Sequence, residues 1–152
     1  MTVPPLARVG DSDLPELLDF LTTADLTLSG LDSPSVRLWI ARDESGAIVA
    51  STGFELSDSG SDALIRSVAV SSGTRGMGWG LELAAYALEQ AVAAGATRAW
   101  LFSRRSGPFW QKLAFEPADR DELARALAST HQVRLFTETG QLAREVAWFR
   151  WL

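Results

Sequence analysis

A glycine-rich turn between an apolar run and an amphipathic run is the clearest chemical signal in this chain. The turn reads Arg75-Gly76-Met77-Gly78-Trp79-Gly80, with the apolar run at residues 64–70 before it and the amphipathic run at residues 81–94 after it. A strand, a glycine turn and a helix in this order aim several backbone N–H groups and the positive end of the helix dipole at one point. The sequence therefore predicts a phosphate-binding loop over residues 75–80.

The glycine spacing excludes two common nucleotide-binding loops. A nucleotide P-loop reads GxxxxGK followed by Ser or Thr, and residues 75–80 contain no lysine. A dinucleotide fingerprint reads GxGxxG, and the position three after Gly78 is Leu81. The remaining pattern, Arg-x-x-Gly-x-Gly, resembles the pyrophosphate loop of the GNAT-type N-acyltransferases, which bind acetyl-coenzyme A (acetyl-CoA).

Composition and charge narrow the class of protein. A length of 152 residues fits a single domain over residues 1–152, and the net charge of −5 argues against nucleic acid as the partner. The chain has no cysteine and one histidine, which argues against a metal site. No apolar run is long enough for a membrane span, and the N-terminus lacks the pattern of a signal peptide. We expect a cytoplasmic protein without metal or membrane partners.

Hydrophobic periodicity predicts an α+β fold with a mixed sheet. Strands are expected near residues 6–9, 36–41, 47–55, 63–70, 97–103 and 146–152. Alternation over residues 36–41 is typical of a half-buried strand, and the strand at 97–103 should lie parallel to that at 63–70. Helices are expected after the cap patterns Asp13/Glu16 and Asp119/Glu122, after Ser106, and over residues 81–94. Residues 22–34 and 134–144 show no readable motif.

The order of these elements resembles the GNAT fold over nearly the whole chain, which implies about six to seven strands flanked by about four helices. Ser67-Val68-Ala69-Val70 resembles the strand whose backbone pairs with the pantetheine arm. Phe109-Trp110-Gln111-Lys112-Leu113-Ala114-Phe115 resembles the family's segment beside the thioester, and residues 147–152 resemble the closing strand. The resemblance implies acetyl-CoA contacts from Val68, Ala69, Val70, Arg75, Gly76, Met77, Gly78, Trp79, Gly80, Phe109 and Trp110.

A narrower likeness is to GNAT proteins encoded with arsenic-resistance genes. It rests on residues 64–70, the Phe109-Trp110 pair, Asp119-Arg120 and Thr130. Members of that group carry Cys-Pro after the last helix, whereas residues 134–137 of this chain contain none. Thiolate coordination of arsenic(III) is therefore impossible here, and the acceptor in that case would be the amino group of an organoarsenical.

Trp110 marks a second departure from the family pattern. Many GNAT enzymes have a tyrosine at this position, where it can protonate the departing CoA thiolate. Tryptophan is an N–H donor only and cannot act as an acid near pH 7. The resemblance therefore implies either that water supplies this proton or that no group supplies it.

Three polar residues are candidates for the chemistry at the acceptor. Glu55 at the end of the third strand fits either a general base for the amine or a solvated strand-end glutamate. Arg66, a charge in an apolar strand, fits either a substrate-binding residue or a buried ion pair, and Ser67 can hydrogen-bond the same acceptor. Glu55 and Ser67 are thus the predicted catalytic residues. His131 is expected late in a helix, as a capping or surface residue.

The predicted function is transfer of the acetyl group of acetyl-CoA directly to the amino group of a small molecule, such as an amino acid or an organoarsenical amine. The alternative is an acyl-CoA-binding module of the same fold with regulatory or degenerate activity, which the missing tyrosine favours. An unrelated phosphate-binding protein is a third hypothesis. The aromatic last strand fits either a core position or an edge that pairs with a second copy in a homodimer.

Overall fold

A mixed sheet forms the centre of the structure, a computed structural model that describes residues 2–74 and 76–152. Its strands in the described residues are β1 (Ala7–Arg8), β2 (Val36–Arg42), β3 (Ile48–Leu56), β4 (Asp62–Ile65), β5 (Ala69–Val70), β6 (Arg98–Phe102), β7 (Glu116–Ala118) and β8 (Ala147–Trp151). Their order in space is β1-β2-β3-β4-β6-β8-β7, and β5 also pairs with β3. Pairs are antiparallel except β4–β6, which is parallel as predicted.

The helices of the described residues are α1 (Leu14–Thr23), α2 (Trp79–Ala93), α3 (Gly107–Gln111), α4 (Arg120–Ala126) and α5 (His131–Thr139). Short 3-10 turns lie at Asp11–Asp13, Ser72–Thr74 and Gln141–Arg144. The predicted α+β fold with a mixed sheet is confirmed. None of these helices combines the length and the apolar character that crossing a bilayer requires.

Helices cover both faces of the sheet. Leu17 of α1 packs with Leu38 and Ile40 on one face, where α4 and α5 also lie. On the opposite face, α2 packs against Trp39 and Phe54. The prediction of a half-buried strand at residues 36–41 is therefore wrong, because α2 buries the face of β2 that carries Trp39 and Ala41.

The strand predicted over residues 63–70 is interrupted. It forms β4 and β5, and between them Ser67 takes a φ of +62°, which an extended strand does not allow. β4 pairs with β6 only from Asp62 to Leu64, and β5 pairs with β3 alone. Past Leu64, the segment that leads from β4 to β5 diverges from β6 and leaves a wedge-shaped opening in the sheet.

The two acidic residues at the start of α1, Asp13 and Glu16, bind elsewhere than predicted. Asp13 makes no cap hydrogen bond to α1; its carboxylate accepts from Gly10 N (2.8 Å) and Arg42 Nη2 (2.9 Å). Glu16 accepts from Arg42 Nη1 (2.6 Å) and Ile48 N (3.1 Å). These hydrogen bonds lower the pKa of both carboxyls. The pair therefore joins α1 to the β2–β3 hairpin.

The predicted cap at Asp119 is confirmed, since it accepts from the second and third residues after it (2.7 and 3.0 Å).

Helix α5 is the largest departure from the prediction. His131 was expected late in a helix, and residues 134–144 showed no readable motif, yet His131 is the first residue of α5. Thr130 caps this helix by accepting from Val133 N (3.4 Å), and Val133 and Phe136 form its buried face. A threonine cap without an acidic residue three positions later is a weak sequence signal.

Leu64→Ala is expected to lower the free energy of unfolding by about 2–5 kcal/mol. Leu64 is fully buried between β4 and the helices α4 and α5, so the substitution leaves a cavity under α5. Leu18→Ala on α1 is the matched control, because Leu18 is 39% exposed and its loss should cost well under half as much. Equal changes for the two variants in urea unfolding would contradict this account of the core.

Candidate functional site

The wedge between β4, β5 and β6 contains a cavity of about 160 Å³. Its walls come from the strand break, from the end of β6, from α3 and from the first turn of α5. The residues that line it and bear on chemistry are Thr27, Arg66, Ser67, Val68, Trp110 and Gln132. The wedge is therefore the point in the fold where polar groups from distant parts of the chain converge.

The free edge of β5 faces this wedge. Ser71 N donates to Val49 O (2.8 Å), and Val70 is the partner of Ala50 in the antiparallel pair. Successive residues of an antiparallel strand point their N–H and C=O groups to opposite sides. The N–H and C=O of Val70 thus point away from β3, towards the side where the described residues provide β5 with no partner strand. A ligand with amide groups can hydrogen-bond there as an added strand would.

The predicted phosphate loop lies between β5 and α2. Gly76 has a φ of +88° and Gly78 a φ of +78°, and Gly78 directly precedes the first turn of α2. A Cβ at either glycine would meet no described atom within 4 Å, so the backbone dihedrals, not crowding, require glycine there. Met77 is exposed between them. Arg75 lies outside the described residues.

Trp79 and Gly80 have packing roles at the start of α2. Trp79 is buried with Val49 and Leu83 in the core beneath the turn. A Cβ at Gly80 would stand 3.2 Å from Phe109 Cε1, so glycine lets α3 approach α2 closely. The predicted loop and the predicted Phe109-Trp110 segment are therefore neighbours in the fold.

Trp110 stands at the wall of the wedge in a cluster of aromatic rings. It contacts Phe109 and Phe115 edge to face, at centroid distances of 4.9 and 5.5 Å. The only tyrosine of the chain, Tyr86, packs edge to face on Trp39 at 5.5 Å, in the interface between β2 and α2. Tyr86 is not among the residues that line the wedge cavity, so the wall provides no phenol to protonate a leaving group.

Ser67 combines backbone strain with an unpaired hydroxyl. Its φ is positive, its side chain is 6% exposed, and its Oγ has no hydrogen-bond partner in the described structure. Its carbonyl accepts from Ser51 Oγ (2.6 Å), which holds the strained residue in place. Strained residues and unsatisfied buried groups cluster at binding sites, so this serine points to a ligand in the wedge.

Glu55 is fully buried, and protein donors surround its carboxylate. It accepts from Arg66 Nη1 (3.2 Å), Gln132 N (3.5 Å) and His131 N. It does not line the wedge cavity. These contacts attach the N-terminus of α5 to β3. They favour a structural role, while the role of general base stays a prediction.

Arg66 forms the buried ion pair that the sequence left open, and it also lines the wedge. Nη1 binds Glu55, Nη2 donates to Thr27 O (3.2 Å), and Nε has no partner within the described residues. Burial lowers the pKa of the Arg66 guanidinium, and the Glu55 carboxylate opposes that shift. Its use in substrate binding stays a prediction.

A second cavity of about 300 Å³ adjoins the first and shares several of its lining residues, including Thr27 and Gln132. Arg104 and Arg105 lie at its exposed rim, and Arg104 Nε is 3.4 Å from Glu145 Oε2. Thr27 and Gln132 are site residues that no motif in the sequence predicts. Recognition of the Thr130 cap would have placed Gln132 in the first turn of a helix. The described residues contain no cluster of metal-ligating side chains.

Comparison with solved structures agrees with this fold. Rv2747 from Mycobacterium tuberculosis, solved with CoA and NLQ, matches 98% of this chain and 99% of its own at a TM-score of 0.76 and 19% identity. The N-acetylglutamate synthase from Neisseria gonorrhoeae, solved with coenzyme A and N-acetyl-glutamate, matches 97% of this chain at a TM-score of 0.73 and 17% identity. The chain spans only 35% of that synthase.

A GNAT-family acetyltransferase from Staphylococcus aureus Mu50 has the same architecture, with a TM-score of 0.70 at 14% identity over 97% of this chain and 98% of its own. No protein of curated function matches the sequence. The sequence profile of the Acetyltransferase (GNAT) family matches residues 7–115, which is most of the chain. This protein therefore belongs to the GNAT acetyltransferase family.

Proposed function

We propose that this protein transfers the acetyl group of acetyl-CoA to the amino group of a small molecule. The observation that carries the proposal is the wedge. At its wall stands a strained serine with an unpaired hydroxyl, and from there β5 leads to a glycine turn at a helix N-terminus. Two proteins that share the fold, the mycobacterial and the gonococcal ones, were solved with CoA. Their likeness supports acetyl-CoA as the acyl donor.

In the proposed complex, each part of acetyl-CoA would contact a different element. The pyrophosphate would lie at the turn 76–80, where the N–H groups of the first turn of α2 are free to donate; Arg75 is predicted to assist. The pantetheine arm would follow the free edge of β5 at Val70. The thioester would then lie at the strand break, beside Ser67 and Trp110.

The transfer needs no covalent bond to the protein. The neutral amine attacks the thioester carbonyl carbon, a C–N bond forms, and the C–S bond breaks. One proton of the amine ends on the CoA sulfur, either through water or directly. Backbone N–H groups at the strand break and the positioning of the two reactants lower the barrier. A thiol that ionises near pH 8.5 in the cysteine reference case is a tolerable leaving group without a protein acid.

The adjoining cavity is the proposed acceptor site, and an amino acid is the proposed acceptor. Arg105 at its rim can attract a carboxylate, whereas the neighbouring Arg104 contacts Glu145. The gonococcal synthase was solved with N-acetyl-glutamate. An organoarsenical with an α-amino group would present the same two groups, an amino group and a negative charge. The narrower resemblance to arsenic-linked GNAT proteins stays a prediction. Pairing of two chains into a homodimer also stays a prediction.

A binding module without catalysis is the second candidate. The residues that line the wedge cavity include neither a tyrosine nor a carboxylate, and the predicted base Glu55 is held by buried contacts. A screen of amines and amino acids with acetyl-CoA, followed by release of free CoA, separates the two. Release of CoA with formation of an N-acetyl product supports the enzyme. Binding of acetyl-CoA without any release supports the module.

Gly78→Ala is expected to raise the Kd for acetyl-CoA at least tenfold, because its methyl group would project into the open space at the start of α2 that the pyrophosphate would occupy. It should also cost about 1–2 kcal/mol of stability, because a side chain disfavours this backbone conformation. Gly60→Ala is the matched control, since Gly60 has a φ of +77° and equal space but lies in the turn before β4. Calorimetry should show normal affinity for Gly60→Ala. Similar Kd values for both variants would show that the turn is not the phosphate site.

The rate of transfer should rise with pH as the amine deprotonates and then level off. A tyrosine acid would add an alkaline fall, and none lines the wedge cavity. Because Trp110 gives no proton in this mechanism, Trp110→Phe should lower kcat far less than the roughly 100-fold that loss of a general acid costs. A descending alkaline limb that disappears in Trp110→Phe would contradict this mechanism.

Glu55→Gln should lower the free energy of unfolding by about 3–5 kcal/mol, because it leaves the Arg66 charge buried without its counter-charge. Combining it with Arg66→Met should restore most of that stability. Urea unfolding and kcat are measured for both variants. A large fall in kcat for Glu55→Gln with unchanged stability and unchanged acetyl-CoA affinity would instead support Glu55 as the general base.

A further inference from the structure

The N-terminal segment of the chain reaches the start of α2. The backbone N of Val3 donates to Glu82 Oε2 (3.2 Å), although the two residues are 79 positions apart. Val3 is 9% exposed, and it belongs to one apolar cluster with Trp79 and Leu83 of α2. The segment that leads into β1 therefore holds α2 both by apolar packing and by a hydrogen bond to a charged side chain.

The same cluster lies beneath the two elements proposed to bind the donor. Val68 and Val70 pack against it from the strand break and from β5. Trp79, the first residue of α2, belongs to it and directly follows Gly78 of the glycine turn. A change at Val3 can therefore affect donor binding without altering the lining of the two acceptor-side cavities, to which Val3 does not belong.

Glu82 is the acidic residue in the first turn of α2. Gly78, the residue before this helix, has no side chain that could cap the turn, and the first N–H groups of a helix attract a nearby anion. A free Glu82 carboxylate and a pyrophosphate would compete for this positive end and repel each other. Because Glu82 accepts from Val3 N, its carboxylate is bound by a partner outside its own helix.

We propose that Val3 is a positioning residue for the donor: its N–H holds the Glu82 carboxylate aside and leaves the first turn of α2 open to the pyrophosphate of acetyl-CoA. This role rests on the proposed function and deepens it, because it explains how a helix start that carries an acidic residue can receive an anion. The N-terminal segment is then part of the donor site, although it lies outside the glycine motif.

Val3→Pro tests the hydrogen bond, because proline retains an apolar side chain but has no N–H to donate. Calorimetry should show a Kd for acetyl-CoA that is raised about 2–5-fold, the size of one interaction between a charge and a helix terminus. The difference from the wild type should shrink at high ionic strength, which screens the charge of Glu82 but does not restore lost packing. Val3→Ala is the matched control: it keeps the N–H, loses part of the buried side chain, and should lower stability while changing the Kd less than Val3→Pro.

Glu82→Gln separates the charge from the hydrogen bond, because the amide retains an oxygen that can accept from Val3 N. This variant should bind acetyl-CoA at least as tightly as the wild type, and in its background Val3→Pro should no longer raise the Kd. Glu89→Gln removes a charge from an exposed position further along α2 and is the matched control. In that background the effect of Val3→Pro should persist.

Three results would overturn the role of Val3. The first is a Val3→Ala variant that binds acetyl-CoA as poorly as Val3→Pro, because packing would then be the cause. The second is an effect of Val3→Pro that persists in the Glu82→Gln background. The third is weaker binding in Glu82→Gln alone, which tests the role of the carboxylate even if Val3→Pro fails to fold. A wild type that binds no acetyl-CoA would refute the proposed function itself, whereas equal Kd values for the wild type and Val3→Pro would refute only the role of Val3.

Discussion

The buried ion pair between Arg66 and Glu55 is the interaction on which the site depends. Two opposite charges without access to water must stay paired, since either one alone in the interior is costly. This pair joins four parts of the chain: Glu55 on β3, Arg66 at the strand break, Thr27 in the loop after α1, and the first N–H groups of α5. The walls of the wedge are therefore fixed relative to one another by electrostatics and hydrogen bonds as well as by apolar packing.

The strand break follows directly after the arginine of this ion pair, whose backbone N still donates to Gly53 O of β3. The guanidinium can reach Glu55 only on the face that α5 covers, and the next residue, Ser67, takes a left-handed conformation. The same distortion moves the backbone of β5 away from β6 and opens the wedge. A feature that looks unfavourable in the sequence, an arginine among apolar residues, is in the structure a paired charge that lines the cleft.

Local signals predicted the scaffold well. Alternation and turn residues located the central strands, and the glycine turn located the start of α2 to within two residues. The acceptor side was not predictable, because it depends on contacts between residues far apart in sequence. Thr27 and Gln132 are 105 positions apart, and each lies in or beside a segment without a readable motif. Burial of Glu55 likewise follows from α5, a helix whose cap offers only a weak signal.

The parallel seam between β4 and β6 has a mechanical consequence. A ladder of three residue pairs at Asp62–Leu64 joins the half-sheet of β1 to β5 to the half-sheet of β6, β8 and β7. Backbone bonds to Ser61 O and the Asp62 carboxylate, which contacts Arg98 and Trp100, reinforce this seam. Because the ladder is short, helices that pack on β4 and β6 from both faces also help to set the angle between the half-sheets. A molecule bound between β5 and β6 would contact both half-sheets. Acetyl-CoA, the proposed donor, would therefore stiffen the sheet that binds it.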